Sequence, residues 1–337
     1  MMGGEPHTET SWQGRTVFVT GGTGFVGSHL TDALVARGAT VRCLVRKDPK
    51  WLDGVPVELV EGSLLDPDAL QRGVSGADIV FHIAGRTRAT EREAFRRDNV
   101  EGTDNLMRAI AEAGSVARTV VASSLAAVGR GGSGVVDEDV PLDPVSDYGW
   151  SKAEMERSLT SWSSKLPVTI VRPPAVYGPR ETDILTFFQS VAKGLCPIVG
   201  DGSTPSLSLV HVDDLVRGCL QVALAPAAEG RTYFLGGPTQ ASWYAIRDAA
   251  AAALGRRVLT LPIPRAVVPV VGAVSEMAGR LFGSYPPLNR EKAREILEAA
   301  LMCSSNRAMK DFGYAPAVSV QEGVRQTIQW YREHRWL

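Results

Sequence analysis

The sequence has almost no net charge, although it contains many charged residues. Its 337 residues include 36 Lys and Arg against 37 Asp and Glu, for a formal net charge of −1. Extended binding to nucleic acid or to an anionic membrane generally uses an excess of positive charge. We therefore expect no nucleic-acid partner, while a local patch could still touch a membrane surface.

Cysteine is also scarce. The four cysteines, Cys43, Cys196, Cys219 and Cys303, are scattered without the spacing of a metal site or a disulfide framework. Such usage suits a reducing compartment, and we expect each thiol to be a small buried apolar group. The sequence thus predicts no metal and a cytoplasmic location.

Long apolar runs are missing. The most apolar stretch in the second half, residues 267–274, is interrupted by Pro269 and Gly272, and it is shorter than the ~20 residues of a membrane span. Residues 1–13 are polar and lack the apolar core of a signal peptide. We expect a flexible N-terminal tail over 1–13 and no transmembrane segment.

A glycine-rich turn lies between an apolar strand and a helix. Residues 20–27 read TGGTGFVG and open a helical pattern. Gly21 permits a tight turn, Gly24 lets a phosphate approach the helix N-terminus, and Gly27 lets the helix pack closely on the sheet. A surface turn is the simpler alternative, but the flanking strand and helix favour a dinucleotide site. Its predicted contacts are Gly21, Thr23, Gly24, Phe25, Val26 and Gly27.

The end of the second predicted strand, residues 40–45, indicates which dinucleotide binds. NAD-binding proteins of this architecture place a carboxylate there for the ribose 2′-hydroxyl. Here Val45 is followed by Arg46 and Lys47, and two cations suit a 2′-phosphate. The sequence predicts NADP(H), with NAD(H) as the second choice. A solvated loop is the alternative interpretation of the two cations.

Two further strand ends supply candidate cofactor contacts. Ser63 and Leu64 follow the third predicted strand, where an adenine would be flanked, and Ala84 and Gly85 follow the fourth. Small residues at the latter point would let the cofactor lie flat across the strand end. His82 lies within the fourth apolar strand, and we interpret it as a packed core residue.

Strands and helices alternate through the first half of the chain, which predicts an α/β fold with a parallel, doubly wound sheet. Ligands of such sheets bind at the carboxyl ends of the strands. Ser123 and Ser124 follow the strand predicted over 119–122 and so lie at that edge.

Tyr148 and Lys152 are four residues apart on a predicted helix and therefore share one face. A phenol has a pKa near 10, too high for a base at neutral pH unless a nearby ammonium stabilises the phenolate. Lys152 can supply that charge, and Ser124 can hold a substrate oxygen beside the phenol. The pair alone is common, but together with the glycine turn and the serines it predicts a catalytic site.

These motifs resemble the extended short-chain dehydrogenases/reductases, which include nucleotide-sugar epimerases and dehydratases, dihydroflavonol reductases and 3β-hydroxysteroid dehydrogenases. The resemblance covers nearly the whole chain. Its landmarks are residues 20–27, 99–105, 123–124, 148–152, 172–179 and 211–215.

The resemblance implies roles for several residues. Tyr148 would be the general acid/base, Lys152 would lower its pKa and bind the nicotinamide ribose, and Ser124 would orient the substrate oxygen. Further cofactor contacts would come from Asn99, Ser123, Pro174, Ala175 and Val176, and substrate contacts from Tyr177 and Arg180. A homodimer would form through the helices over 99–112 and 148–161.

The resemblance also implies a Rossmann-type domain and a smaller, mixed C-terminal lobe that binds substrate. We expect the NADP-binding domain over 14–175, with a returning segment over about 206–236. The substrate-binding lobe would comprise 176–205 and 237–337. Asp213 or Asp214 is expected to cap the helix that follows.

The predicted substrate is a largely apolar small molecule. Nucleotide-sugar epimerases usually have an arginine between a Gly-Asp-Gly and the His-Val-Asp-Asp landmark, and residues 203–210 contain none. Residues 266–282 are apolar and could line an apolar pocket, with ordinary core packing as the alternative. The leading interpretation is an NADP(H)-dependent oxidoreductase that interconverts a secondary alcohol and a ketone. A nucleotide-sugar epimerase or dehydratase and a non-catalytic NADP(H)-sensing protein are the alternatives.

Overall fold

The computed structural model describes residues 12–132, 134–200, 202–203, 207–281, 290–299 and 301–337. Its strands are β1 Thr16–Thr20, β2 Thr40–Val45, β3 Glu58–Glu61, β4 Ile79–His82, β5 Arg118–Ala122, β6 Val135–Val136, β7 Val168–Arg172, β8 Ala175–Tyr177, β9 Leu195–Val199, β10 Leu207–His211, β11 Thr232–Phe234, β12 Gln240–Ala241, β13 Leu259–Ile263 and β14 Met302–Cys303.

The helices follow the same chain order. They are α1 Phe25–Val35, α2 Pro67–Val74, α3 Arg92–Phe95, α4 Gly102–Ala113, α5 Asp147–Thr160, α6 Leu185–Ala192, α7 Val212–Leu224, α8 Trp243–Leu254, α9 Val268–Leu281, α10 Arg290–Glu298, α11 Asn306–Phe312 and α12 Val320–Glu333. A π-helical segment, Arg96–Glu101, joins α3 to α4.

Seven strands form one central sheet in the order β11-β7-β5-β4-β1-β2-β3. Every pairing within it is parallel. Because parallel strands need crossover connections, helices cover both faces of the sheet. The predicted α/β class and parallel, doubly wound sheet are confirmed.

The residues of β1 show how the two faces are packed. Val17 and Val19 join a core with Leu30 of α1 and Leu215 of α7. Phe18 points the other way, into a second core that includes side chains of α2, α4 and α5. This alternation follows from the two-residue period of a strand, and it explains why the central strands are buried on both faces.

The C-terminal part has its own core and smaller sheets. Its buried cluster combines α6, α8 and α12 with β9 and β10. One three-stranded sheet is mixed, since β10 pairs in parallel with β8 and antiparallel with β12. The predicted smaller, mixed C-terminal sheet is therefore present.

The cap of α7 differs from the expectation. His211 is the N-cap residue, and its Nδ1 accepts a hydrogen bond from the amide of Asp213. Asp214 lies in the first helical turn and is fully buried. Its carboxylate accepts hydrogen bonds from the amides of Ala317 and Val318 at 2.9 to 3.1 Å. Asp214 thus fastens the chain before α12 to the central domain.

We predict that Asp214→Ala destabilises the protein by about 3 kcal/mol, because two amides would lose a charged acceptor. The midpoint of urea unfolding measures this change. The neighbouring carboxylate of Asp213 is 57% exposed, so Asp213→Ala is a matched control with an expected change within about 0.5 kcal/mol. Equal effects of the two substitutions would contradict the assignment.

Candidate active site

Two glycines of the turn, Gly21 and Gly27, lie where a side chain would not fit. Gly21 has φ 79°, and a Cβ on it would lie 2.5 Å from the amide nitrogen of Ala84. A Cβ on Gly27 would lie 2.1 Å from the carbonyl oxygen of Gly21. Gly27 therefore permits packing of α1 against the turn itself, whereas we expected packing against the sheet.

The start of α1 is suited to an anion. Gly24 is its N-cap and supplies no side-chain acceptor for the first helical amides. Gly24 is exposed, and Thr23, Phe25 and Val26 are half-buried around it. Uncapped amides at a helix N-terminus are a recurrent phosphate site, so this cradle fits the diphosphate of a dinucleotide.

The predicted adenine-side residues lie at the ends of β2 and β3. Arg46 and Lys47 are exposed, and across the described ranges neither makes an ion pair with another side chain. Ser63 Oγ accepts a hydrogen bond from the amide of Leu65. Leu64 packs on Gly102 of α4, where an added Cβ would lie 2.8 Å from the Leu64 Cβ.

Tyr148 is held beside Ser124 by close backbone packing. Tyr148 lies in the first turn of α5, whose N-cap Ser146 accepts a hydrogen bond from the amide of Gly149 at 3.1 Å. A Cβ on Gly149 would lie 2.4 Å from the carbonyl oxygen of Ala126, so glycine lets α5 approach the turn after Ser124. The Ser124 hydroxyl accepts a hydrogen bond from the amide of Ala126 at 3.1 Å, and it lies close enough to Tyr148 to lower the pKa of the phenol.

Burial controls the protonation of both ionisable groups. It raises the pKa of Tyr148 to about 12; the Ser124 hydroxyl opposes the rise, and the charge of Glu295 adds to it. Burial lowers the pKa of Lys152 to about 8, against the opposing effect of Glu156. Desolvation is thus the largest effect on the pKa of Tyr148, and the lowering by Lys152 that the resemblance implies stays a prediction.

Lys152 faces the loop that follows β4. Its Nζ donates to the carbonyl oxygen of Ala122 at 2.7 Å, and a Cβ on Gly85 would lie 3.0 Å from the same Nζ. Asn99 lies in the π-helical segment, and its Nδ2 donates a hydrogen bond to Ser151 Oγ at 2.8 Å. Its Oδ1 accepts a hydrogen bond from the amide of Arg86 at 2.6 Å. The side chain of Asn99 thus fastens this loop to α5.

Known proteins resemble this chain over most of its length. Residues 17–236 match the model of the NAD dependent epimerase/dehydratase family. The chain belongs to this family. It is an NAD(P)-dependent enzyme of the extended short-chain dehydrogenase/reductase type, as the sequence predicted.

Two curated relatives and one solved structure illustrate the likeness. The chain is 32% identical to a ceramide reductase of Caulobacter vibrioides, over 95% of this chain and 96% of that protein. It is 30% identical to a 2-alkyl-3-oxoalkanoate reductase of Stenotrophomonas maltophilia, over 92% of this chain and 97% of that protein. The dTDP-glucose 4,6-dehydratase DesIV of Streptomyces venezuelae superposes with a TM-score of 0.76 at 26% identity, over 95% of this chain and 98% of that chain.

Other predicted members of the site have different surroundings in this epimerase/dehydratase-family enzyme. The Ser123 hydroxyl donates to buried Glu156, which is paired with Arg172 at 2.6 Å. The side chain of Ser123 therefore lies beneath the site, and its cofactor contact stays a prediction. Pro174 is buried, while Ala175 is exposed and Val176 half-buried at the start of β8.

Tyr177 and Arg180 make contacts with other parts of the fold, and their substrate contacts stay predictions. Tyr177 is buried in the C-terminal core, where a Cβ on Gly323 would lie 2.4 Å from its hydroxyl oxygen. Arg180 pairs with Asp32 of α1 at 2.9 Å and stacks over Trp51. Both side chains thus contact core or helix surfaces.

Sequence reasoning missed the contribution of α10. Glu291 accepts a hydrogen bond from the amide of Asp147 at 2.5 Å, and Glu295 raises the pKa of Tyr148. The sequence offers only the spacing of Glu291, Glu295 and Glu298, which would share one face of a helix, and Glu291 is 144 residues away from Asp147. Thus α10 contacts the start of α5, the helix that contains Tyr148.

Residues 204–206 of the segment without arginine lie outside the described residues, as do residues 201, 282–289 and 300. Leu207 and Ser208, at the end of that segment, are buried. Where the structure describes the chain, no helix is long and apolar enough to cross a membrane. The same residues contain no His, Cys, Asp and Glu cluster suited to a metal ion.

We predict that Gly21→Ala raises the Kd for NADPH at least about tenfold, because a new Cβ would push the turn away from Ala84. Gly14 is a matched control, since it has a similar φ of 77° and no heavy atom within 4 Å of an added Cβ. Gly14→Ala should keep the wild-type Kd. Calorimetric titration measures both, and equal losses would refute the role of the turn.

Proposed function

We propose that this enzyme interconverts a secondary alcohol and a ketone on a largely apolar small molecule, with NADP(H) as its cofactor. The observation that supports this proposal is the placement of the Tyr148 phenol near the Ser124 hydroxyl, with buried Lys152 one turn further along α5. A protonated phenol next to a hydroxyl can polarise a carbonyl and give it a proton.

Each side chain has a separate task in this mechanism. When bound, the nicotinamide supplies or accepts the hydride. Ser124 holds the substrate oxygen, and Tyr148 transfers a proton between its phenol oxygen and that oxygen. Lys152, with a pKa of about 8, is mostly cationic at neutral pH, and its position next to Gly85 and Asn99 fits a contact to the nicotinamide ribose.

The predicted substrate class rests on the chain and on its relatives. The segment before His211 offers hydroxyls and buried apolar side chains where a diphosphate would need a cation. Two relatives are named as a ceramide reductase and a 2-alkyl-3-oxoalkanoate reductase. A steroid-like, flavonoid-like or long-chain ketone therefore suits the site best.

A nucleotide-sugar epimerase or dehydratase is the second candidate, favoured by the likeness to DesIV. Such an enzyme would use the same hydride step transiently and leave the cofactor unchanged overall. Substrate-dependent oxidation of NADPH supports our proposal, and conversion of UDP- or dTDP-sugars without net oxidation supports the alternative. A purely NADP(H)-sensing role is disfavoured because Tyr148 and Lys152 are both present.

We also propose which parts of the chain bind the cofactor and which bind the substrate. Residues 14–175 with 206–236 would bind the cofactor, and 176–205 with 237–337 would bind the substrate; the pairing of β11 with β7 supports the return segment. A cytoplasmic homodimer through the helices over 99–112 and 148–161 completes the proposal. Sedimentation equilibrium tests the dimer.

We expect Tyr148→Phe to lower kcat/KM by about 10²- to 10⁴-fold, because the substrate oxygen would lose its proton donor. The assay follows NADPH oxidation by the unmodified enzyme with steroid, flavonoid and long-chain 3-oxo compounds. The variant is then assayed with the compound that the unmodified enzyme reduces. Tyr244→Phe, on α8, is the control and should retain turnover. Unchanged kcat/KM in Tyr148→Phe would exclude the catalytic role.

We expect the double variant Arg46→Ala and Lys47→Ala to raise the Kd for NADPH by about tenfold to a hundredfold, since charge-assisted bonds to the 2′-phosphate would be lost. The Kd for NADH should stay constant. Arg256→Ala with Arg257→Ala removes another exposed pair of cations and controls for net charge. Tighter binding of NADH than NADPH to the unmodified enzyme would overturn the preference.

A further inference from the structure

The outer surface of α9 is apolar and exposed to solvent. Val267, just before the helix, and Val270, Val271, Val274 and Met277 recur at helical spacing, and their side chains are 39% to 63% exposed. Val268 on the opposite side is buried. Single exposed apolar residues are common, but a continuous stripe on one helix indicates a contact surface.

The chain leading into α9 extends the apolar surface. Leu259 of β13 is paired with Leu195 of β9, and both are exposed, as is Leu261. Pro262 and Pro264, which lead from β13 toward α9, are exposed too. We call the side chains of 195, 259–264, 267, 270, 271, 274 and 277 the apolar face. It holds eight of the twelve large exposed apolar side chains found among the described residues.

Cations precede each element of the apolar face, and the nearby Asp248 is paired with Arg247. Lys193 precedes β9, Arg256 and Arg257 precede β13, and Arg265 precedes α9; all four are exposed. The sequence from 249 to 275 contains no acidic residue, although the whole chain has a net charge of −1. A local excess of cations next to exposed apolar side chains matches an anionic, apolar partner surface.

A second copy of the chain fits this surface poorly. In a two-fold interface the same patch faces itself, so the cations around each face would approach their own copies. Like charges brought together across an interface oppose association. The helix is also too short to span a bilayer, since its 14 residues extend only about 21 Å.

We propose that the apolar face docks the enzyme on the surface of an anionic phospholipid bilayer, with α9 lying in the plane of the interface. The valine stripe enters the boundary between headgroups and acyl chains, and the four cations contact lipid phosphates. This docking is separate from the proposed reaction, and it does not require the substrate to be a lipid.

The docking surface is connected to the candidate active site. Helix α9 packs on α10, and Arg265 donates a hydrogen bond to the carbonyl oxygen of Leu297 in α10 at 3.0 Å. Through Glu291, α10 in turn contacts the first residue of the catalytic helix α5. Docking therefore brings the membrane surface next to the elements that cover Tyr148.

Flotation of the full-length enzyme with vesicles tests the proposal. Vesicles of equal parts phosphatidylglycerol and phosphatidylcholine should bind the enzyme, and pure phosphatidylcholine should bind it at least about tenfold less. The double variant Val270→Glu and Val274→Glu should lose about tenfold of the binding. Met309→Glu replaces an exposed methionine of α11 and should bind as the wild type does.

Three outcomes would overturn the proposal: no binding to either vesicle, equal binding to both, or unchanged binding in the double glutamate variant. A dimer that dissociates when Val270 and Val274 become glutamate would identify a second copy as the occupant. NADPH affinity and the melting temperature report whether each variant folds. Loss of vesicle binding on substitution of Arg256 and Arg257 by alanine, with NADPH affinity kept, would support the role of the cations.

Discussion

The site depends on a buried chain of hydrogen bonds that fixes one tautomer of His82. Burial lowers the pKa of His82 to about 3, so the imidazole is neutral. Thr103 donates its hydroxyl proton to the carbonyl oxygen of Asn99 at 2.6 Å and must therefore accept from His82 Nε2, 2.8 Å away. His82 Nδ1 then accepts from Thr20 at 2.7 Å. This chain leads from the strand before the glycine turn to the π-helical segment.

The same chain of contacts continues to the catalytic helix. Asn99 donates to Ser151 Oγ, and Ser151 donates to the carbonyl oxygen of Tyr148 at 2.7 Å. The strand before the glycine turn and the helix of Tyr148 are thus positioned relative to each other by buried hydrogen-bonded groups. Unpaired polar groups at this depth would cost free energy, so the arrangement is rigid only while every member keeps its partner. The segment that contains Asn99 is π-helical, and π-helical segments are frequent at functional sites.

Local patterns in the sequence predicted the sheet, the glycine turn and the Tyr148-Lys152 spacing, because each depends on neighbouring residues alone. Side-chain directions were harder to predict. Tyr177 belongs to a recognisable motif, yet it points into the core because successive residues of β8 face opposite sides. The contact of Glu291 with Asp147 joins residues 144 positions apart, and no local pattern encodes it. The valines of α9 predicted an apolar pocket wall or core packing, and only the fold shows that their outer side is exposed.

Burial acts in opposite directions on the two ionisable groups of the site, and this has a consequence for catalysis. Desolvation favours the neutral form of each, which raises the pKa of Tyr148 and lowers that of Lys152. The negative charge of Glu295 on α10 further disfavours a phenolate. At neutral pH the tyrosine therefore holds its proton and is ready to donate it, as reduction of a carbonyl requires. The reverse reaction needs a base, and forming a phenolate at this position would demand that a positive charge offset both the burial and the glutamate.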